Sequence, residues 1–249
     1  MRFALPLAAL LASTAPLAHA EGLTNMTEAE RSAFNEAVRA YILDNPEVLI
    51  EAMEVYQARE MDQAAERDKI LLSENKEAIT RNPNDWAGGN LEGDITLVEF
   101  MDYRCGYCHK AYADVESLIK SDGNIRFVLK EFPVLGEQST LAAQFTIAIK
   151  QLHGDDAYKA AHDALFGFRG EISHDSLSRL AENLKLDYAA LSARMSGPEV
   201  AAVIEENYAI AQMFGINGTP TFILEDGLIQ GYVPLNEMEK LVAQAREKS

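Results

Sequence analysis

The chain has 249 residues, of which 48% are hydrophobic and 24% charged, with two cysteines and a formal charge of -17. That much apolar material excludes wholesale disorder and is enough for one large or two small cores. So acidic a chain repels nucleic-acid phosphates, no polybasic cluster is present to dock on anionic lipid, and beyond the N-terminus no apolar run reaches the roughly 18 residues of a membrane span.

Residues 1–20 begin Met1-Arg2-Phe3, continue through apolar Ala4 to Ala12 and end on Ala18-His19-Ala20. A basic start, a short apolar stretch and small residues read as a signal peptide cut before Glu21, and Pro6 and Pro16 argue against a membrane anchor. Export delivers the chain to a compartment where disulfides form and persist.

Residues 21–80 read as a helical extension. Thr27-Glu28-Ala29-Glu30 fits a capping box, and Phe34, Val38, Tyr41 and Ile42 follow at helical spacing, so one helix is predicted to about Leu43. Asp44-Asn45-Pro46 breaks it, and a second helix is predicted to about Ile79. Leu49, Met53 and Tyr56 are placed to pack on the first helix. Ala58, Ala65, Leu72 and Ile79 fall seven apart, although Asp68 and Asn75 interrupt the partner seam. Self-association through this extension is expected, the alternative being a helix that simply covers the following domain.

From residue 81 to 94 the composition shifts to Asn, Pro and Gly, which predicts a linker and a domain boundary. The domain beyond it, residues 95–249, opens with a buried-strand pattern at Ile95 to Phe100, followed by a helix from Cys105 to about Ile119 and a strand from Ile125 to Lys130. Residues 137–214 are helical in pattern. Short strands at Thr221 to Leu224 and Leu228 to Gln230 precede a last helix from about Asn236 to Glu247. The order is that of an α/β fold.

Cys105-Gly106-Tyr107-Cys108 contains both cysteines. A bridge closing so short a loop constrains the unfolded chain very little, so stability is not its purpose. Cys105 follows a strand and opens a helix, where unpaired amides and the helix dipole stabilise a thiolate, the form that attacks disulfides. Cys108, one turn later, is predicted to lie deeper and to resolve a mixed disulfide between Cys105 and a client. Gly106 lets a substrate backbone approach, and Tyr107 offers an aromatic contact. Glu99 is an incongruous charge in the preceding strand and Lys130 ends the next one. If the strands pair side by side, Glu99 and Lys130 form a buried proton relay for Cys108. His109 is either solvent-facing or a nearby cation that tunes the thiolate. Pro220, at a strand entrance after a turn, is a candidate cis proline that exposes the Thr219 backbone for pairing with an extended substrate. Trp86 is expected to pack the start of the domain core.

Strand-Cys-x-x-Cys-helix, the late Thr219-Pro220 and the intervening helical block resemble the DsbA-like thioredoxin-fold proteins, a thioredoxin fold with a large helical insertion. With the two N-terminal helices included, the chain is similar to the suppressor-of-copper-sensitivity protein C (ScsC) group. The resemblance assigns Cys105 as nucleophile, Cys108 as resolving thiol, Glu99 and Lys130 as buried acid and lysine, and Pro220 as cis proline. It implies a periplasmic thiol-disulfide protein with a redox-active Cys105-Cys108 disulfide and no other cofactor. The implied partners are exported client proteins, a membrane reductase of the ScsB or DsbD type, and further copies of the chain in a trimer or dimer. Copper tolerance is also implied, with Cu(I) at the two thiolates permitted by soft-ligand chemistry. Gly106-Tyr107 and Thr219 are similar to the disulfide isomerase DsbC, which favours an isomerase or reductase over a DsbA-like oxidase. A remaining alternative is c-type haem attachment, since Cys105 to His109 also satisfies that signature with His109 as axial ligand.

Overall fold

A computed structural model describes residues 26–248, and the predicted signal peptide lies outside them. The chain divides into two compact units, Met1–Glu60 and Met61–Ser249.

In the first unit, α1 (Glu28–Asp44) starts on the expected capping box: Thr27 Oγ1 accepts from the Glu30 amide at 3.3 Å and Glu30 Oε2 accepts from the Thr27 amide at 2.8 Å. It ends where Asn45 donates through its side chain to Tyr41 O, and Pro46 leads into α2 (Glu47–Glu74). No residue of α1 is buried. Leu49, Met53 and Tyr56, expected to close the two helices on one another, stay 51% to 63% exposed.

In the second unit, α2 does not run on to Ile79. It stops at Asn75, whose side chain donates to Leu71 O, and a short α3 (Lys76–Thr80) follows. The predicted boundary at residue 80 is therefore displaced: Leu72 and Ile79, half of the supposed coiled-coil seam, are buried against the sheet of the second unit. The segment read as a linker is also corrected, because residues Trp86–Gly89 form β1. Turn-forming residues around it hid a four-residue edge strand, which pairs through backbone groups that leave little pattern in sequence.

Beyond β1 come β2 (Ile95–Met101), α4 (Gly106–Asp122) and β3 (Ile125–Glu131). The helical block resolves into α5 (Glu137–His153), α6 (Asp155–Gly167), α7 (His174–Asn183), α8 (Tyr188–Met195) and α9 (Pro198–Met213). Strands β4 (Thr221–Leu224) and β5 (Gly227–Gln230) and helix α10 (Leu235–Lys248) follow, the last elements among the described residues. The five strands lie in the order β1-β3-β2-β4-β5, with β2 and β3 parallel and the other pairs antiparallel.

Alternation along the central strands builds two cores. Leu97, Met101, Phe127, Leu129 and Phe222 face α4, which contributes Cys108, Ala111, Val115 and Leu118. Val98, Phe100, Val128 and Ile223 face the other way, onto Leu72, Ile79, Ile210 and Phe214. Trp86 belongs to the first core, where it stacks on Tyr158 with ring centroids 6.1 Å apart. Gly123, at φ 71°, closes α4 in the left-handed conformation that glycine adopts without strain.

Candidate active site

The junction between β2 and α4 places the two thiols. Cys105 is the N-cap of α4, in extended conformation, and its Sγ accepts from the Cys108 amide at 3.4 Å. The same thiol donates to Thr219 O at 3.1 Å. Its pKa is brought down to about 5, first by the hydrogen bond from the Cys108 thiol, then, against the opposing cost of burial, by hydrogen bonds from the Thr219 side chain and the amides of Cys108 and Tyr107. Cys108 is fully buried one turn on, and burial, followed by the hydrogen bond to Cys105 and the charge of Glu99, pushes its thiol far above the ordinary range. One sulfur is thus set up as the thiolate and the other is held protonated. Both are free thiols in this structure.

The surface beside Cys105 is open. Tyr107 is 64% exposed, and nothing lies within 4 Å of where a Gly106 side chain would start. Across from Cys105, the Thr219-Pro220 peptide is cis, with Pro220 buried and Thr219 half-buried.

Glu99 lies 4% exposed on the α4 face of β2. Burial, then the charges of Cys105 and Glu116, push its carboxyl up to about 8. The expected pairing with Lys130 is not formed. In the parallel register Glu99 is opposite Leu129, whereas Lys130 is opposite Phe100 and points to the other face of the sheet. Lys130 instead forms a fully buried ion pair with Asp85 and donates to Ala78 O at 3.2 Å and Asn207 Oδ1 at 3.5 Å. Asp85 still sits up at about 6, because burial outweighs the lysine's attraction. Lys130 is therefore a structural cation and not part of the cysteine site.

His109 is half-buried, with Nδ1 3.1 Å from Phe166 O and Nε2 2.8 Å from Tyr103 O. Both nitrogens face carbonyl acceptors, so neither is presented as an axial lone pair, and the geometry does not fit c-type haem. Among the described residues no group of three or more His, Cys, Asp or Glu side chains could hold a metal ion.

Several polar residues that support this site escaped sequence reasoning. Asp102 accepts from the amides of Arg104, Val134 and Leu135 and from Ser139 Oγ, fastening the turn before Cys105 to the start of α5. Glu131 Oε1 accepts from Tyr103, Thr146 and Tyr158 hydroxyls at 2.9, 2.7 and 2.7 Å, while Oε2 has no partner. Burial raises this carboxyl to about 8 despite those donors. A glutamate following Lys130 at a strand end carries no signal in sequence that it turns inward.

A family model described as "DSBA-like thioredoxin domain" matches residues 96–243, and one described as "Copper resistance protein ScsC N-terminal domain" matches residues 30–63. A thioredoxin-like oxidoreductase from Silicibacter pomeroyi is 40% identical, with 70% of this chain and 99% of that one covered at a TM-score of 0.66. BcfH of Salmonella enterica Typhimurium is 25% identical, with 88% and 96% covered at a TM-score of 0.72. Proteus mirabilis ScsC in a transitional conformation, 22% identical with 90% and 98% covered at a TM-score of 0.65, shares the fold. Among curated relatives, the Na(+)/H(+) antiporter NhaA 1 of Salinispora arenicola is 28% identical over 162 residues, 65% of this chain and 24% of the antiporter. The chain spans about a quarter of the length of the first such relatives. Disulfide bond formation protein D of Bacillus subtilis is 23% identical, with 62% of this chain and 73% of that protein covered.

Proposed function

The chain belongs to the DSBA-like thioredoxin-domain family and carries an ScsC N-terminal domain, and from that premise we propose that it is a thiol-disulfide oxidoreductase acting on exported proteins. The observation that carries the proposal is the placement of the two thiols: Cys105 caps the start of α4 and accepts from the Cys108 amide, which helps bring its pKa down to about 5, while Cys108 is buried one turn on, which pushes its pKa up. The Cys105 thiolate attacks a client disulfide and becomes joined to one client sulfur, while the other leaves as a thiolate. Cys108 then gives its proton to Glu99 and attacks Cys105, forming the Cys105-Cys108 disulfide and releasing the client. The cis Thr219-Pro220 peptide lies where an extended client segment pairs, and exposed Tyr107 packs on it.

In this reading the protein is exported to the periplasm and acts as an isomerase or reductase kept reduced by a membrane reductase of the ScsB or DsbD type. Among the described residues no helix is long and apolar enough to cross a membrane. The apolar residues left exposed on α1 and early α2, Phe34, Val38, Tyr41, Leu49, Met53 and Tyr56, support assembly of several copies, a trimer or dimer, around one client. A link to copper tolerance draws on the two soft sulfur donors, which would hold Cu(I) after losing their protons.

Reduction of insulin and refolding of scrambled ribonuclease test the reaction. Cys105→Ser abolishes both and Cys108→Ser accumulates mixed disulfides; full activity in the first variant overturns the assignment. Thiol trapping in cells fixes direction: mostly reduced cysteines accord with isomerase or reductase, and mostly disulfide with the oxidase alternative.

A further inference from the structure

This inference rests on the exchange reaction just described and concerns how its proton leaves the protein. In the resolving step the Cys108 S–H bond breaks and its proton goes to Glu99. The Cys108 sulfur then bonds to Cys105, and the bond between Cys105 and the client sulfur breaks, with the client leaving as a reduced thiolate. Glu99 must next release that proton. Along the sheet its cross-strand neighbours, Leu129 and Phe222, are apolar, and Lys130 is on the opposite face. The titratable groups that line or charge its surroundings are Cys105, Cys108, Tyr112 and Glu116 from the α4 segment and His162 from α6.

A void of about 10 Å³ is lined by Glu99, Tyr112, Val115, Glu116 and His162, together with two phenylalanines. This is the lower limit of space for one water molecule, and polar groups surround it. Its outer member, Glu116, has a 40% exposed side chain with Oε1 3.0 Å from Lys159 Nζ, so it meets solvent. We propose that a water in this void passes the proton between Glu99 and Glu116, and that Glu116 delivers it to bulk solvent.

The other polar groups are arranged to hold the water without keeping the proton. Tyr112 donates its hydroxyl to Asp163 at 2.7 Å. Tyr103 donates to Glu131, so its 3.0 Å contact with His162 requires Nδ1 of the histidine to donate, and the network leaves Nε2 as a bare acceptor. Burial holds His162 neutral, its pKa down at about 3. The route is also needed before resolution. Once Cys105 is joined to a client it bears no charge, one of the influences raising Glu99 is gone, and Glu99 must lose its own proton before accepting that of Cys108.

The test mixes reduced full-length protein rapidly with oxidised glutathione, in H2O and D2O across pH, and separates attack by Cys105 from release of the second glutathione. Glu116→Gln should leave the first phase unchanged and lower the limiting rate of the second about fivefold with a larger isotope effect, less than the ~10²-fold cost of losing a direct base. A glutamate acting through its charge alone moves the pH midpoint and leaves that limiting rate intact. Val115→Ile, which fills the void while keeping Glu116, should reproduce the loss. A wild-type limiting rate in Glu116→Gln overturns the proposal whatever Val115→Ile does. Wild-type resolution in Glu99→Gln would instead remove the acid itself, and with it the reading on which this inference rests.

Discussion

Lys130 is one residue out of register with Glu99 on the neighbouring parallel strand, and that single step puts the two side chains on opposite faces of the sheet. Lys130 pairs with Asp85 in the second core, while Glu99 lies on the opposite face, where the charge of Cys105 acts on its carboxyl. Replacing the lysine should therefore separate stability from chemistry. Lys130→Met leaves Asp85 buried without its cation and should cost about 3 kcal/mol in urea unfolding. The thiolate absorbance of Cys105 should titrate as in the wild type.

Cys105 reactivity should follow its lowered pKa. Alkylation by iodoacetamide is expected to be near its plateau at pH 7 and to fall as pH drops through about 5. Cys108→Ala removes the largest stabilising contact, so the midpoint should move upward, toward the value of an ordinary thiol.

Glu99 and Cys105 make opposite contributions to stability. The folded Glu99 pKa, about 8, lies above its ordinary 4.5, so its contribution is fully present below pH 4.5 and lost as pH rises through 8. The folded Cys105 pKa, about 5, lies below its ordinary 9.0, so its contribution is present above pH 9 and lost as pH falls through 5. Denaturant midpoints of the reduced protein at pH 5 and pH 8 should show the wild type losing stability relative to Glu99→Gln as pH rises.

The segment between residues 81 and 94 should behave as part of the domain. Trp86 packs on Tyr158 and Phe127 and donates to Asp155 O at 3.1 Å, so Trp86→Ala should cost about 3–5 kcal/mol. A chain beginning at Met61 should unfold cooperatively. One beginning at Ile95 loses β1, Leu72, Ile79 and the Asp85 partner of Lys130, and should not fold.

Local chemistry made much of this protein legible from its residues. The Thr27 capping box, the strand-to-helix position of Cys105 and the turn before Pro220 each depend on groups a few positions apart, so the helix start, the Cys105 cap and the place of the cis bond were readable from neighbouring residues. Tertiary structure alone decided which acid meets which base. The Glu99 and Lys130 faces follow from strand register, where a shift of one residue exchanges the two sides of a sheet. Asp85 reaches Lys130 across 45 positions, and Glu131 gathers hydroxyls from Tyr103, Thr146 and Tyr158, distances over which only packing, not spacing along the chain, brings side chains together.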